Sequence, residues 1–265
     1  MPYLKLLLFW LLAAVIVVLT VSLSTFYSAI RPQKFVSNTT PADLGMQYEN
    51  VTLVTEDNIR LDAWFIPAAN KTDKAVVVLH GYPFDKGNIL PRATFLHDDF
   101  NLLLFDFRYL GKSEGSYTSV GFHEQKDLAA AVKFLRSSRN QTRIGALGFS
   151  LGGTVAIMGA KQTGLNVVVA DSSYASLENM LTHNYKQFWI FKLPFLITTK
   201  VLSKVVLNVD IADVSPEKSI RHLNIPILII HGSADDQIPV DNAYQLKNAN
   251  RNVELWIVEN SGHGF

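Results

Sequence analysis

The sequence of 265 residues contains no cysteine. This excludes disulfide bonds, thiolate nucleophiles and zinc sites with thiolate ligands, and it leaves the redox compartment open. An excess of one charge is also missing, since 24 Lys and Arg residues face 23 Asp and Glu residues, for a net charge of +1. The charge balance gives no basis for binding nucleic acid, and we expect no nucleic-acid partner.

Charge is absent altogether from residues 6–30. A helix of that length, at about 1.5 Å per residue, spans the ~30 Å hydrocarbon core of a bilayer. We predict a transmembrane anchor over residues 1–30 that contacts the bilayer through residues 6–30. A cleaved signal peptide, with a small-residue site at 22–24, is the alternative, but its apolar region should be roughly 7–15 residues.

The charges that flank this segment do not determine its orientation. Lys5 and the amino terminus balance Arg31 and Lys34, and a large domain is translocated largely regardless of flanking charge. We expect a single-pass membrane protein whose globular domain can lie on either side of the membrane, with the extracytoplasmic side favoured. The sequence gives no oligomeric state.

The rest of the chain divides into a polar segment and one α/β domain. Residues 31–45 contain two prolines and are predicted to be a tether. Over residues 46–265, short apolar runs such as 75–79 alternate with amphipathic stretches such as 122–135. Strands that alternate with helices predict a mostly parallel sheet with helices on both faces.

A G-x-S-x-G pattern at residues 148–152 has Ser150 at its centre, between an apolar run and a helix-like stretch. This is the context of a nucleophile elbow, in which the serine stands on a sharp strand-to-helix turn and flanking glycines prevent clashes. The pattern alone is weak, because glycine and serine are common. It gains weight only from an acid, a histidine and an oxyanion hole in the matching order.

Two further strand ends supply an acid and a histidine. Asp235 follows the apolar run at 227–230, and His263 lies between two glycines after the run at 253–258. In open parallel sheets, functional groups collect at the carboxyl ends of strands. We predict a catalytic triad in which Ser150 attacks an acyl carbon, His263 takes its proton and Asp235 orients His263.

Two other acids lie near strand ends and are alternatives to Asp235. Asp236 is adjacent to it, but neighbouring side chains in a turn rarely aim at one point, and choosing Asp171 would leave Asp235 without a role. A metal held by Asp235 and Asp236 lacks further ligands nearby. We expect neither a metal nor a cofactor.

The backbone N–H groups of Tyr82 and Leu151 are the predicted oxyanion hole. Loss of one such donor typically costs ~3–4 kcal/mol of barrier. We interpret the neighbouring His80 as a buried residue bonded to nearby loops. Asp106 and Arg108 are expected to order the adjacent loop through charge-assisted hydrogen bonds.

Residues 176–214 interrupt the alternation of strands and helices. A connection this long is usually functional or has structure of its own. We predict a helical cap over the active site, in which Pro194 interrupts the helix, while a purely structural insertion is the alternative. The aromatic residues assigned to substrate binding are Tyr185, Phe188, Trp189, Phe191 and Phe195.

Together these motifs resemble the α/β-hydrolase superfamily, and more narrowly bacterial membrane-anchored members of its serine-aminopeptidase-like and Bem46-like branch. The matching motifs are H-G at 80–81, F-D-x-R-x-x-G-x-S-x-G at 105–115, the elbow, G-x-x-D-x-x-I-P at 232–239 and G-H-x-F at 262–265. The resemblance covers about residues 47 to 265. It implies an eight-stranded type of sheet and hydrolysis of esters, thioesters or amides without a cofactor. It also implies a final helix after His263, so we expect the chain as given to be less stable and less active than one extended by that helix.

The function that we expect is a membrane-anchored serine hydrolase that cleaves a small or lipophilic ester or thioester through an acyl-enzyme on Ser150. The apolar cap favours the lipophilic substrate. A serine peptidase of the aminopeptidase type is one alternative, and it would need a group that holds a peptide's amino terminus. A catalytically weak membrane-anchored binding protein is the other, if the short C-terminus disables His263.

Overall fold

The computed structural model describes residues 2–264. Its eight strands are β1 (Glu49–Val54), β2 (Arg60–Ile66), β3 (Lys74–Leu79), β4 (Asn101–Phe105), β5 (Arg143–Phe149), β6 (Val167–Asp171), β7 (Ile227–Gly232) and β8 (Val253–Val258). They form one sheet in the order β1-β2-β4-β3-β5-β6-β7-β8. Only the β1–β2 and β2–β4 pairings within it are antiparallel.

The helices are α1 (Pro2–Ile30), α2 (Lys86–Ile89), α3 (Glu124–Arg139), α4 (Leu151–Thr163), α5 (Leu177–Asn184), α6 (Lys192–Leu202), α7 (Pro216–Ile220) and α8 (Asp241–Ala249). Helices α5 and α6, with the helical turns Tyr185–Phe191 and Ser203–Leu207, make up the cap. Pro194 does not interrupt α6, because the helix begins two residues before it. In the first turn, the missing N–H of a proline costs no hydrogen bond.

The centre of the sheet is apolar on both faces, as the continuous apolar runs predict. In β3, Val77 and Leu79 pack into the core on one face, while Val76 and Val78 pack into the core on the other. The predicted α/β-hydrolase fold with eight strands is confirmed. The carboxyl ends of the parallel strands therefore share one edge of the sheet, where the predicted site residues lie.

Helix α1 contains an 18-residue stretch with a mean hydropathy of 2.9, and Lys5 is the one charged residue in its sequence. The helix is long and apolar enough to cross a membrane, and a signal sequence near the N-terminus would meet the same criteria of length and composition. Residues 3–21 are exposed apart from the half-buried Ala13 and Val18. Beyond them, every fourth residue is buried, at Ser22, Phe26 and Ile30, where α1 packs against α6.

The segment predicted as a tether lies along the domain. Lys34 Nζ donates to the carbonyl of Ser113 at 2.9 Å, and the Ser37 N–H donates to Asp85 Oδ2 at 2.8 Å. Pro41 is buried. These contacts attach α1 to the loops that follow β3 and β4, while the domain boundaries themselves stay predictions.

Arg108 connects the β1–β2 hairpin to α3. Its Nε and Nη2 donate to Asp127 Oδ1 at 2.9 and 2.7 Å, and its Nη1 donates to Asp57 Oδ2 at 2.8 Å. Arg108 and Asp127 are both buried. Arg108 and Asp127 compensate each other's charge, and Asp57 is a second partner of Arg108, so removal of Arg108 leaves Asp127 buried without its ion-pair partner.

We expect Arg108→Ala to lower the free energy of unfolding by about 3–5 kcal/mol, because Asp127 is then buried without its partner. Urea unfolding of the detergent-solubilised protein measures this loss. The matched control is Lys126→Ala, which removes a partly exposed cation from the same cluster and should cost at most about 1 kcal/mol. Equal losses in the two variants would contradict the assigned role of Arg108.

Candidate active site

Ser150 lies on a sharp turn between β5 and α4. Its φ of 54° and ψ of −113° define a backbone conformation that residues other than glycine rarely adopt. The turn requires glycine on both sides: a Cβ on Gly148 would lie 2.3 Å from the Gly152 carbonyl carbon, and one on Gly152 would lie 2.2 Å from the Leu79 carbonyl oxygen. This is the geometry of a nucleophile elbow.

The structure brings together Ser150, His263 and Asp235 from the ends of β5, β8 and β7. His263 Nε2 lies 3.2 Å from Ser150 Oγ, and His263 Nδ1 lies 2.7 Å from Asp235 Oδ2. A carboxylate can only accept, so Nδ1 carries the proton and donates to Asp235. Nε2 is then the acceptor for the serine proton. Phe265, the last residue of the G-H-x-F motif, lies outside the described residues.

Asp235 is buried, and protein groups donate hydrogen bonds to both of its carboxylate oxygens. Its Oδ1 accepts from the N–H groups of Gln237 and Ile238 at 3.0 and 2.8 Å. Burial by itself would raise the pKa of Asp235, but the hydrogen bonds from His263 and Ile238 outweigh it and hold the pKa below its ordinary value. The side chain therefore remains an anion beside His263.

The two other acids occupy different positions. Asp236 is exposed. Asp171 accepts from Ser172 Oγ at 2.9 Å and lies 3.9 Å from Arg92 Nη1, and burial raises its pKa. Within residues 2–264 there is no group of three His, Asp or Glu side chains suited to a metal ion.

The loop after β3 passes directly beside Ser150. A Cβ on Gly81 would lie 3.4 Å from the Cβ of Ser150, so the next residue, Tyr82, is adjacent to the nucleophile. Leu151 is the first residue of α4, and the first N–H groups of a helix have no acceptor within it. Both predicted oxyanion donors thus belong to segments that meet at Ser150.

The side chain of His80 stabilises the loop after β3 through hydrogen bonds to backbone groups. Its Nδ1 lies 2.8 Å from the carbonyl of Gly81, and its Nε2 accepts from the Phe107 N–H at 3.0 Å. The ring is fully buried, and burial lowers the pKa of His80. Both nitrogens are occupied by backbone groups, so His80 holds the loops after β3 and β4 together.

A cavity of about 420 Å³ opens onto Ser150 and His263. Its cap wall is formed mainly by aliphatic side chains, including Leu177, Met180 and Leu207. The predicted cap aromatics lie elsewhere: Phe188 and Phe195 pack on each other, with ring centroids 4.8 Å apart. Tyr185 joins that cluster, while Trp189 and Phe191 are exposed.

Sequence reasoning missed the part that α1 plays in this cavity. Phe26, Ala29 and Ile30 line it, and the hydroxyl of Tyr82 donates to the carbonyl of Ala29 at 3.0 Å. The sequence gives little indication of this contact, because a helix that is apolar on all sides has no amphipathic pattern to distinguish the face that packs on the domain. The polar residues in this part of the helix, at Ser22, Ser24, Thr25 and Ser28, lie on different faces and do not single out the one that packs.

The sequence model of the prolyl oligopeptidase family matches residues 113–265, more than half of the chain and all of the Ser150–Asp235–His263 constellation. The chain belongs to this family, as a Bem46-like α/β-hydrolase. Protein YqkD of Bacillus subtilis is 30% identical over 205 residues, 75% of this chain and 67% of that protein. Protein bem46 of Schizosaccharomyces pombe is 24% identical over 207 residues, 76% of this chain and 64% of that protein.

Solved structures agree with this assignment. The Pyrococcus furiosus esterase Pf2001 superposes with a TM-score of 0.71 at 33% identity, over 89% of this chain and 90% of that chain. The Bem46-like chain spans about two thirds of the length of the curated relatives it matches. These likenesses identify a serine hydrolase by class.

The close contact between the elbow of this hydrolase and β3 should tolerate no added methyl group. Gly152→Ala places a Cβ against the Leu79 carbonyl, and overpacking of this kind typically costs ~1–3 kcal/mol or more. Gly262→Ala is the matched control, since its Cβ would meet nothing within 4 Å. Thermal unfolding should show a lower Tm for Gly152→Ala only, and an unchanged Tm would contradict the contact.

Proposed function

We propose that this chain is a membrane-anchored serine esterase or thioesterase that cleaves a lipophilic acyl substrate through an acyl-enzyme at Ser150. The observation that carries the proposal is the hydrogen-bonded series from Asp235 through His263 to Ser150, at the base of an apolar cavity. A nucleophile, an oriented base and an adjacent acyl-sized space are the components that acyl transfer requires.

The proposed reaction has two halves. In the first, Ser150 Oγ attacks the acyl carbon while His263 Nε2 takes its proton, and Asp235 stabilises the imidazolium that forms. The Tyr82 and Leu151 N–H groups donate to the oxyanion of the tetrahedral intermediate. His263 then gives its proton to the departing alcohol or thiol. In the second half, a water molecule gives a proton to His263 and attacks the acyl-enzyme. The bond between Ser150 Oγ and the acyl carbon then breaks, His263 returns the proton to Ser150 Oγ, and the acid leaves.

The walls of the cavity support a neutral, lipophilic acyl group. Leucine, isoleucine, methionine and phenylalanine side chains dominate the described lining, and none of these described residues is acidic or a Lys or Arg. Apolar walls with few polar groups are typical of sites that bind apolar ligands. Helix α1 supports the membrane anchor, because it is long and apolar enough to span a bilayer. The side of the membrane on which the domain lies stays a prediction.

A serine peptidase is the second candidate, and the match to the prolyl oligopeptidase family favours it. An aminopeptidase would hold the charged amino terminus of its substrate, most simply with a carboxylate. The described lining of the cavity offers none. The esterase is therefore the better supported of the two.

We expect a fluorophosphonate probe to label the wild-type protein and to leave Ser150→Ala unlabelled. Asp235→Asn should lower kcat for a p-nitrophenyl ester by about 10³- to 10⁴-fold, because the amide no longer stabilises the required tautomer and imidazolium of His263. The matched control is Asp236→Asn, which alters an exposed neighbour and should leave kcat unchanged. Folded wild-type protein that resists labelling would instead favour a binding protein.

A substrate panel separates the esterase from the peptidase. The panel contains p-nitrophenyl esters of increasing acyl length and aminoacyl and prolyl p-nitroanilides. We expect kcat/KM to rise with acyl length by roughly tenfold for every one to two buried methylene groups until the cavity is filled. The anilides should be turned over slowly or not at all. Faster turnover of an anilide than of every ester would reverse the ranking of the two functions.

A further inference from the structure

Helix α1 changes from exposed to packed at Ser22, and this boundary sets the position of the cap relative to a membrane that α1 spans. The exposed part, residues 3–21, is about 29 Å long at 1.5 Å per residue, which matches a hydrocarbon core of ~30 Å. From Ser22 onward α1 is packed on the domain, and Thr198 Oγ1 of α6 donates to Ser22 Oγ at 2.7 Å. If residues 3–21 span the bilayer, α6 lies at its surface.

The outer face of the cap carries an apolar stripe. Its members recur at intervals of four residues and each is more than half exposed: Trp189, Leu193, Ile197, Val201 and Val205. The opposite side of α6, with Phe195 and Thr199, is buried. Soluble proteins rarely expose a continuous apolar surface of this kind without an interaction partner.

The charge of the cap complements an anionic surface. The cap, residues 177–207, contains four lysines and one acidic residue, Glu178. The lysines are Lys186, Lys192, Lys200 and Lys204. Only Lys200 forms an ion pair among those identified in residues 2–264, with Glu178. An apolar stripe flanked by lysines is typical of helices that lie in a membrane interface with anionic lipid headgroups.

The inner face of the same cap forms the active-site cavity. Met180, Leu181 and Leu207 of the cap face Phe26 and Ile30 of α1 across it. The cavity therefore lies between the cap and the last two turns of α1, next to the point at which α1 would leave the bilayer. An acyl chain with its carbonyl carbon at Ser150 would contact these apolar side chains, while Asn184, Thr199 and Ser203 are the polar cap residues in the same lining.

We propose that the apolar stripe of the cap lies in the interface of the bilayer that α1 spans, and that the cavity takes the acyl chain of a membrane-resident ester or thioester from that leaflet. This inference rests on the proposed function for its second half. The position of the stripe can be tested without any activity.

Because the sequence contains no cysteine, an introduced cysteine is the only thiol and can be labelled at one chosen position. Val205→Cys labelled with the fluorophore NBD reports on the stripe, and Ser138→Cys is the matched control. Ser138 is exposed near the end of α3, at the sheet edge where the parallel strands begin, opposite to Ser150. The full chain is reconstituted into vesicles of equal parts phosphatidylcholine and phosphatidylglycerol.

We expect NBD at position 205 to shift to the blue and to be quenched by lipids with nitroxide-labelled acyl chains, while NBD at position 138 shows neither change. Equal exposure to water at the two positions would overturn the proposal. NBD fluorescence does not depend on whether a fluorophosphonate labels Ser150. The experiment therefore tests the position of the stripe separately from the proposed function.

The loading step is tested with Ile197→Asp and Val205→Asp, two exposed positions that do not line the cavity. Turnover of a long-chain thioester embedded in the vesicles should fall by about tenfold, because carboxylates weaken insertion into an anionic interface. Turnover of water-soluble p-nitrophenyl acetate should not change. Val54→Asp, at an exposed apolar position of β1, is the control and should affect neither substrate. Unchanged turnover of the embedded thioester, or an equal loss for both substrates, would overturn the loading step.

Discussion

The structure of the site depends on one close backbone contact, between the first turn of α4 and the end of β3. The α-carbon of Gly152 lies against the carbonyl of Leu79, where no side chain fits. This contact forces the turn at Ser150 into its strained conformation and brings the loop at Gly81 and Tyr82 beside the nucleophile. The serine and both predicted oxyanion donors are therefore positioned by packing of backbone on backbone, which is rigid.

The loops around this contact are held by buried polar groups whose partners are other loops. His80 joins the loops after β3 and β4 through both of its ring nitrogens, and Arg108 joins the hairpin and α3. Asp235 keeps its charge because backbone N–H groups and His263 replace the water it loses. The residues that surround the chemistry are thus mostly structural, and only three side chains take part in the proposed reaction.

Helix α1 combines two features in one element. Its exposed part is suited to a bilayer, while its last two turns form a wall of the cavity and accept a hydrogen bond from Tyr82. A domain without α1 would have an open cavity and an oxyanion loop with one contact fewer. The proposed anchor and the active site are in this sense one unit, which is the physical basis for the proposed link between substrate and membrane.

The sequence by itself determined the mostly parallel sheet and the alternation of strands and helices along the chain. It also predicted the group of Ser150, Asp235 and His263, which the structure brings within hydrogen-bond distance, because apolar runs and glycine-framed polar residues report local requirements. Only the tertiary structure decided what faces the cavity. The aromatic residues of the cap were expected there, yet Trp189 is exposed and Phe195 packs within the cap, while Phe26 and Ile30 come from a distant helix. An apolar residue has the same pattern in the sequence whether it faces a core, a ligand or a lipid, and the packing of neighbouring elements chooses between them.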